Sequence, residues 1–245
     1  MVNPPDEQTH GNLLDGRVHY TQPRQGFRSG VEPVLLAAAI PARSGSRILE
    51  GGSGAGAALL CLAARVPGIH GLGVEQDPAL VAIAQWNATA NGWPDLRFVA
   101  ADVAALPALG EFDHACANPP YHSGAGTPSP DPSRRLAKRA ACGLLAVWSA
   151  ALARPLRAGG TLTFILPAAQ LPEAAAAFIA AGCPPTVMLP LWPKPRHQAK
   201  LLLLRGVKGS RAPFRIASGL VLHAPDGSFT AEADAILRHG EALEA

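Results

Sequence analysis

Charged residues are scarce in this sequence, at 16% of 245, and aromatic residues scarcer still, at 5%. Hydrophobic residues make up 48% of the chain and the mean hydropathy is +0.14. That balance excludes a mainly disordered chain. No uncharged apolar run reaches about 18 residues, which excludes a membrane-spanning helix. The four cysteines, Cys61, Cys116, Cys142 and Cys183, are widely spaced, with no CxxC and no Cys/His pairing. A zinc module is therefore not expected, and free buried thiols in a reducing compartment are. Residues 1–10 (MVNPPDEQTH) lack both a basic start and an apolar stretch. No signal peptide is expected from them, and the expected location is cytoplasmic. The histidines show neither a catalytic triad nor metal-ligand spacing, so no metal is expected.

What is present is unevenly distributed. The net charge is only +3, yet residues 132–225 hold 13 Lys/Arg and one acid, Glu173. The remainder holds 8 Lys/Arg and 17 acids. A basic second half points to a polyanionic partner, provided the fold gathers those charges on one face.

Short apolar runs at 47–50, 69–74, 96–100, 112–117, 160–166, 186–191 and 199–205 predict strands. Apolar, Ala-rich stretches at 31–40, 55–66, 78–91, 134–153 and 171–181 predict helices between them. Asp77 before Pro78, and Gly92 after residue 91, are start and stop signals for the third helix. A further extended run at 215–222 and a short helix at 231–237 complete the chain. This alternation predicts an α/β protein with a mostly parallel sheet covered on both faces. Residues 1–16 read as a flexible tail. Residues 17–245 read as a single domain with a basic C-terminal extension. Trp86, Trp93 and Trp148 are expected in or beside the core, and Trp192 in a basic Pro-rich loop.

Residues 48–56 read ILEGGSGAG, directly after a predicted strand and before a helix. Gly52, Gly54 and Gly56 let the backbone turn tightly and approach a ligand closely. No Lys follows in the GxxxxGK[ST] pattern, so a P-loop is excluded. Glu75 ends the next strand, 19 residues beyond Gly56. A carboxylate there can accept hydrogen bonds from both ribose hydroxyls of a nucleoside. Asp102 follows the third strand and can meet an adenine amino group. These residues suit NAD and S-adenosylmethionine alike. Glu50 separates the two, because a carboxylate at the end of the first strand repels a pyrophosphate and suits a cationic amino-acid end. The methyl donor is favoured.

Asn118-Pro119-Pro120-Tyr121 follows the fourth strand, where open α/β sheets bind ligands. The two prolines remove N–H donors and leave rigid carbonyl acceptors. Asn118 adds a side-chain carbonyl. Two fixed acceptors can take both hydrogens of a planar –NH2 group and aim its lone pair. Tyr121 offers a face for stacking. This is catalysis by positioning, with no tuned base required.

Together these residues resemble the class I S-adenosylmethionine-dependent N-methyltransferases of the NPPY type. More closely, the chain resembles the bacterial tRNA1(Val) adenine-N6-methyltransferase family. The closer likeness rests on residues 22–28 (QPRQGFR) leading into 31–38, and on the tail around 192–196 and 199–200. It spans about residues 17–240. Glu50 stands where the family usually carries Asp, and Glu32-Pro33 where an Asp typically precedes the first helix. The resemblance implies a Rossmann-like fold with a seven-stranded sheet and helices on both faces, S-adenosylmethionine as cofactor, and methylation of an adenine N6 in the anticodon loop of a valine tRNA. It implies that Asn118 and Tyr121, with Pro119 and Pro120, hold the target base. It assigns Glu75 to the ribose, Asp102 to the cofactor's adenine, and Glu50, the glycines and Asn118 to its reactive end. Arg24 and Arg28 would flank the mouth, with Lys194, Arg196 and Lys200 on the RNA face. The chain is expected to be monomeric.

Rival readings remain. Release-factor glutamine methyltransferases share the NPPY segment, because a glutamine amide is also a planar –NH2, but typically carry an extra N-terminal helical domain. Guanine-N2 methylation of ribosomal RNA is a second. A non-catalytic RNA-binding relative is a third, and the intact 118–121 segment weighs against it. A nicotinamide oxidoreductase would need a proton-relay pair that is not evident. Residues 123–132 are expected to order over substrate.

Overall fold

The computed structural model describes residues 8–24, 30–120 and 143–243. The chain begins with a hairpin, β1 (Gln8–Leu13) and β2 (Val18–Pro23). Then follow α1 (Glu32–Ala39), β3 (Arg47–Gly51), α2 (Ala57–Arg65), β4 (His70–Glu75), α3 (Pro78–Ala90), β5 (Leu96–Ala100) and β6 (Phe112–Ala117). The second half holds α4 (Leu144–Ala153), β7 (Leu156–Pro167), α5 (Leu171–Ala180), β8 (Pro185–Trp192), β9 (Leu201–Val207), two short strands β10 (Arg215–Ile216) and β11 (Leu220–Val221), and α6 (Ala231–His239).

Strands β3 to β9 form one sheet in the order β5-β4-β3-β6-β7-β9-β8, with β10 and β11 both pairing with β8. Only β9 runs antiparallel to its neighbours. The order reverses between β3 and β6, which pair directly. At such a reversal the flanking helices diverge, leaving a crevice at the strands' C-terminal ends.

Alternation along the strands feeds two cores. Ile48, Cys116, Ile165 and Leu203 pack with α1, α2 and α3 on one face. Leu49, Ala115, Ala117 and Phe164 pack with α4 and α5 on the other. Glu50 follows Ile48 by two residues and so faces the α2 layer. Local signals position the helices. Asp77 caps α3 by accepting from the Ala79 N–H at 2.8 Å, and Thr230 caps α6 by accepting from Ala233 at 3.1 Å.

Three expectations change. Among the described residues the main sheet has nine strands, because the predicted run 215–222 forms β10 and β11 beyond the seven expected. The tail expected to be loose is a strand from Gln8 to Leu13, paired antiparallel with β2. Leu14 at its turn is 2% exposed, so the hairpin is anchored in the core. Trp86 is 46% exposed, not buried. The predicted helix 134–153 is described only from Leu144 onward.

The hairpin is held by two asparagines, Asn87 on α3 and Asn91 at its C-cap. Asn87 accepts from Thr21 N–H at 2.9 Å and donates to Thr21 O at 2.8 Å. Asn91 does the same for His19, at 2.9 and 2.7 Å. The physical basis is a match of repeats. Four helical residues rise about 6 Å, and two strand residues about 6.7 Å. The amides thus act as a surrogate neighbouring strand for an otherwise bare edge. Asn87 also donates to Ala55 O at 3.0 Å, tying the hairpin to the glycine loop.

Candidate active site

The crevice at the β3/β6 reversal opens into a cavity of about 1190 Å³. Glu50, Gly52, Gly54, Glu75, Asp102, Asn118, Pro119 and Pro120 all line it. One site therefore gathers residues 70 positions apart in sequence. Gly56 stands just behind it as the N-cap of α2, at φ +88°.

The glycine loop is shaped by backbone bonds. Gly52 and Ser53 both donate to Val74 O, at 2.8 and 3.0 Å. Gly52 and Gly54 have φ of +66° and +54°, a region that side chains avoid. Their surroundings differ. A Cβ on Gly52 would come within 2.7 Å of the Trp148 ring, whereas one on Gly54 would meet nothing within 4 Å. Gly52 makes room for the protein's own indole. Gly54 leaves open space facing the cavity.

The carboxylates differ in kind. Glu75 is half-buried and accepts from Gly54 N–H and Asp77 N–H, both at 3.0 Å, which fixes its orientation. Asp102 is exposed and accepts from Ala104 N–H at 2.8 Å. Glu50 is 4% exposed, and its Oε2 has no hydrogen-bond partner among the described residues. Burial raises its pKa to about 8, partly offset by the Leu59 backbone N–H and raised further by Glu75. A buried carboxylate with a free oxygen is unstable as an anion until a cation arrives.

Asn118 directly follows β6, and its Oδ1 is sheltered from solvent without a hydrogen-bond partner among the described residues. Such an atom costs free energy unless something donates to it. The orphaned Glu50 oxygen, the open space at Gly54 and the oriented Glu75 suit a ligand with a cationic amino-acid end and a ribose. The donor set thus fits S-adenosylmethionine. Burial pushes the Cys61 and Cys116 thiols up, so neither serves as a thiolate.

Arg24 is exposed and follows Gln22 and Pro23, which line the cavity. Tyr121 and Arg28, and the expected ordering loop at 123–132, lie outside the described residues. Lys194, Arg196 and Lys200 sit in the loop between β8 and β9. Register places this loop on the active-site edge of the sheet, since Leu191 pairs with Leu201 and Leu201 with Pro167. It lies two to three strand spacings from β6, about 10–14 Å across the sheet. Arg196 and Lys200 are exposed, and Lys194 reaches Pro225 O at 3.4 Å. The Trp192 indole N–H is taken by Ser218 O at 3.2 Å.

Several cavity residues escaped sequence reasoning. Gln8, Tyr20 and Gln22 from the hairpin, and Trp148 from α4, also line it. Asp15-Gly16 between two alternating stretches was the available hairpin signal. Nothing in the spacing points to Trp148.

Comparison with known proteins agrees with this geometry. Residues 32–145 match the methyltransferase small domain family. The chain is 33% identical over 160 residues to a tRNA1(Val) (adenine(37)-N6)-methyltransferase from Actinobacillus succinogenes, covering 63% of this chain and 66% of that protein. It is 30% identical over 166 residues to a protein of the same name from Tolumonas auensis, covering 67% and 69%. The chain thus spans about two thirds of the length of these relatives. A crystal structure described as a predicted O-methyltransferase from Agrobacterium tumefaciens shares the fold, with a TM-score of 0.71 at 24% identity, over 87% of this chain and 98% of that one. This chain belongs to the class I S-adenosylmethionine-dependent methyltransferases, in the family of the tRNA1(Val) adenine-N6-methyltransferases.

Proposed function

We propose that this protein transfers a methyl group from S-adenosylmethionine to the N6 amino group of an adenine in tRNA. The observation that carries the reading is the unpartnered Asn118 Oδ1 at the end of β6, in one cavity with the unpartnered Glu50 oxygen. One acceptor awaits a neutral amino group, and the other awaits a cation.

S-adenosylmethionine, when bound, supplies a methyl group on a positively charged sulfur. Glu50 holds the ammonium end of that molecule, and its proton leaves as the ion pair forms. Glu75, oriented by two backbone N–H groups, accepts the ribose hydroxyls. Asp102 accepts from the adenine amino group. Asn118 Oδ1 and the adjacent backbone carbonyl accept the two hydrogens of the target –NH2. That fixes the nitrogen lone pair toward the reacting carbon, and the entropy of alignment is met before reaction. With S-adenosylmethionine bound, the target nitrogen would take the methyl carbon, and the cofactor would supply the leaving thioether, which keeps the electron pair of the broken carbon–sulfur bond. The target nitrogen then carries the positive charge, so its proton leaves readily and no tuned base is required. Tyr121 stacks on the target base. Lys194, Arg196, Lys200, Arg24 and Arg28 draw in the RNA backbone.

The test is a transfer assay with labelled S-adenosylmethionine. Unmodified tRNA, ribosomal RNA and release factor serve as parallel acceptors, and labelled RNA is digested to nucleosides. N6-methyladenosine from tRNA is expected. Label confined to release factor would replace the reading with protein methylation, and N2-methylguanosine from ribosomal RNA would replace it with that reaction.

A further inference from the structure

A second concavity lies beside the reaction cavity, between the hairpin and α3. It measures about 400 Å³, and its walls include His10, Asn12, His19, Thr21, Trp86 and Asn87. Tyr20 lines both this groove and the reaction cavity.

Trp86 is the unusual member. Helix α3 buries Ile83, Ala84, Asn87 and Ala88. Trp86 lies off that stripe and is 46% exposed. An indole left half in water has given up about half of the burial that favours such a side chain.

The chemistry of the walls narrows the occupant. Among the described residues the lining contains no Lys, Arg, Asp or Glu. A phosphate or a charged peptide side chain would find no carboxylate, ammonium or guanidinium partner among them. The groove offers an aromatic face and neutral hydrogen-bonding groups. His19 Nδ1 lies 3.1 Å from Asn12 Oδ1, an atom that only accepts, so Nδ1 donates and Nε2 is left facing a ligand. His10 Nδ1 meets Thr21 Oγ1 at 2.9 Å. Both imidazoles are therefore oriented through one nitrogen while the other stays available. The wall is also rigid, because His19 and Thr21 are the two β2 residues gripped by Asn91 and Asn87. An oriented site with an aromatic platform and ring nitrogens at its rim suits a planar heterocycle with donors and acceptors on its edge. A nucleobase is such a group.

We propose that this groove docks a second, unmethylated nucleobase of the RNA substrate, stacked on Trp86 and met at its edge by His10 and His19. The inference rests on the RNA reading given above. Continuity supports it, since His10 follows the cavity-lining Gln8 by two strand residues, about 7 Å. A base held here would fix the strand that carries the target adenine, without touching the reacting atoms.

The experiment compares wild type, Trp86→Ala, Trp86→Phe and His19→Ala. Steady-state transfer to unmodified tRNA is measured beside S-adenosylmethionine affinity and thermal midpoint. Trp86→Ala is expected to raise the KM for tRNA about tenfold, with kcat and cofactor affinity unchanged. Trp86→Phe, which keeps an aromatic face, is expected to recover most of that loss. His19→Ala is expected to raise KM by a smaller factor. Ultraviolet cross-linking of tRNA should label the peptide containing Trp86. Wild-type methylation of tRNA with an unaltered KM in Trp86→Ala would overturn the inference and leave the RNA reading intact. An equal loss in Trp86→Ala and Trp86→Phe, with lowered cofactor affinity, would make Trp86 structural and overturn it too. A wild-type protein that binds no RNA would overturn both.

Discussion

The two long walls of the reaction cavity are built differently. The sheet wall carries Glu50, Gly54, Glu75, Asp102 and Asn118 at strand ends, oriented largely by near neighbours. Glu75 accepts from Asp77, and Asp102 from Ala104, each two residues on. The hairpin wall, with Gln8, Tyr20 and Gln22, is held from 66 residues away by Asn87. Among the described residues both walls carry buried polar side-chain atoms without partners, Glu50 Oε2 and Asn118 Oδ1 on the first and the Gln8 amide on the second. What separates the hairpin wall is its backbone, since in β2 that of His19 and Thr21 is satisfied in both directions by side chains.

The largest expected effect breaks the sheet wall alone. Asn118→Ala should lower kcat at least a thousandfold, a loss of about 4 kcal/mol in transition-state stabilisation. Cofactor affinity, read by calorimetry, should change less than threefold. Wild-type turnover in this variant would end the positioning mechanism.

Next comes Asn87→Ala, which breaks the hairpin wall alone. It removes three hydrogen bonds and strands buried backbone groups, so a loss of about 2–4 kcal/mol in stability is expected. The Thr21 amide should lose hydrogen-exchange protection more than the amides of β3. Equal loss in both would show that the walls are one unit.

Glu50→Gln sharpens the chemistry of the sheet wall. It should weaken S-adenosylmethionine about tenfold to a hundredfold, the scale of a buried charge-assisted contact. With its pKa at about 8, wild-type Glu50 is mostly protonated at pH 7. Cofactor binding should then release close to one proton, measurable in buffers of different ionisation heat. Affinity should rise with pH toward 8 and fall once the ligand's ammonium deprotonates. Stability of the cofactor-free protein has the opposite sign. The unfolded carboxyl ionises near its ordinary value while the folded one stays protonated, so stability falls from about pH 4.5 to 8. In Glu50→Gln the proton release and both slopes should vanish. Their persistence would assign them to another group.

The smallest effect tests the basic loop. Lys194→Ala with Arg196→Ala should weaken tRNA binding several-fold and flatten the log-log salt slope by about 1.5–2. An unchanged slope would put the RNA face elsewhere.

This contrast also governs what could be read in the sequence. Strands β5 (Leu96–Ala100) and β6 (Phe112–Ala117) fall where the apolar runs placed them. Capping by Asp77 and Pro78 set the start of α3. The residues lining the sheet wall were legible, because strand-end position follows from local pattern and chemistry from residue type. The hairpin was not. Residues 8–12 show no apolar run, and they become a strand by pairing with β2, whose Thr21 and His19 are held from 66 and 72 residues downstream. Trp148 was placed in the core by its apolar surroundings. Its role as cavity wall depends on Gly52 having no side chain. Glu50's shifted pKa was equally hidden, since burial is a property of packing.

Asn87 has one more consequence. Its amide joins Thr21 and Ala55 through a single side chain. Lifting the hairpin would expose all of those buried partners together. A wall with that penalty is a poor door. The asparagine thereby gives the cavity a fixed back.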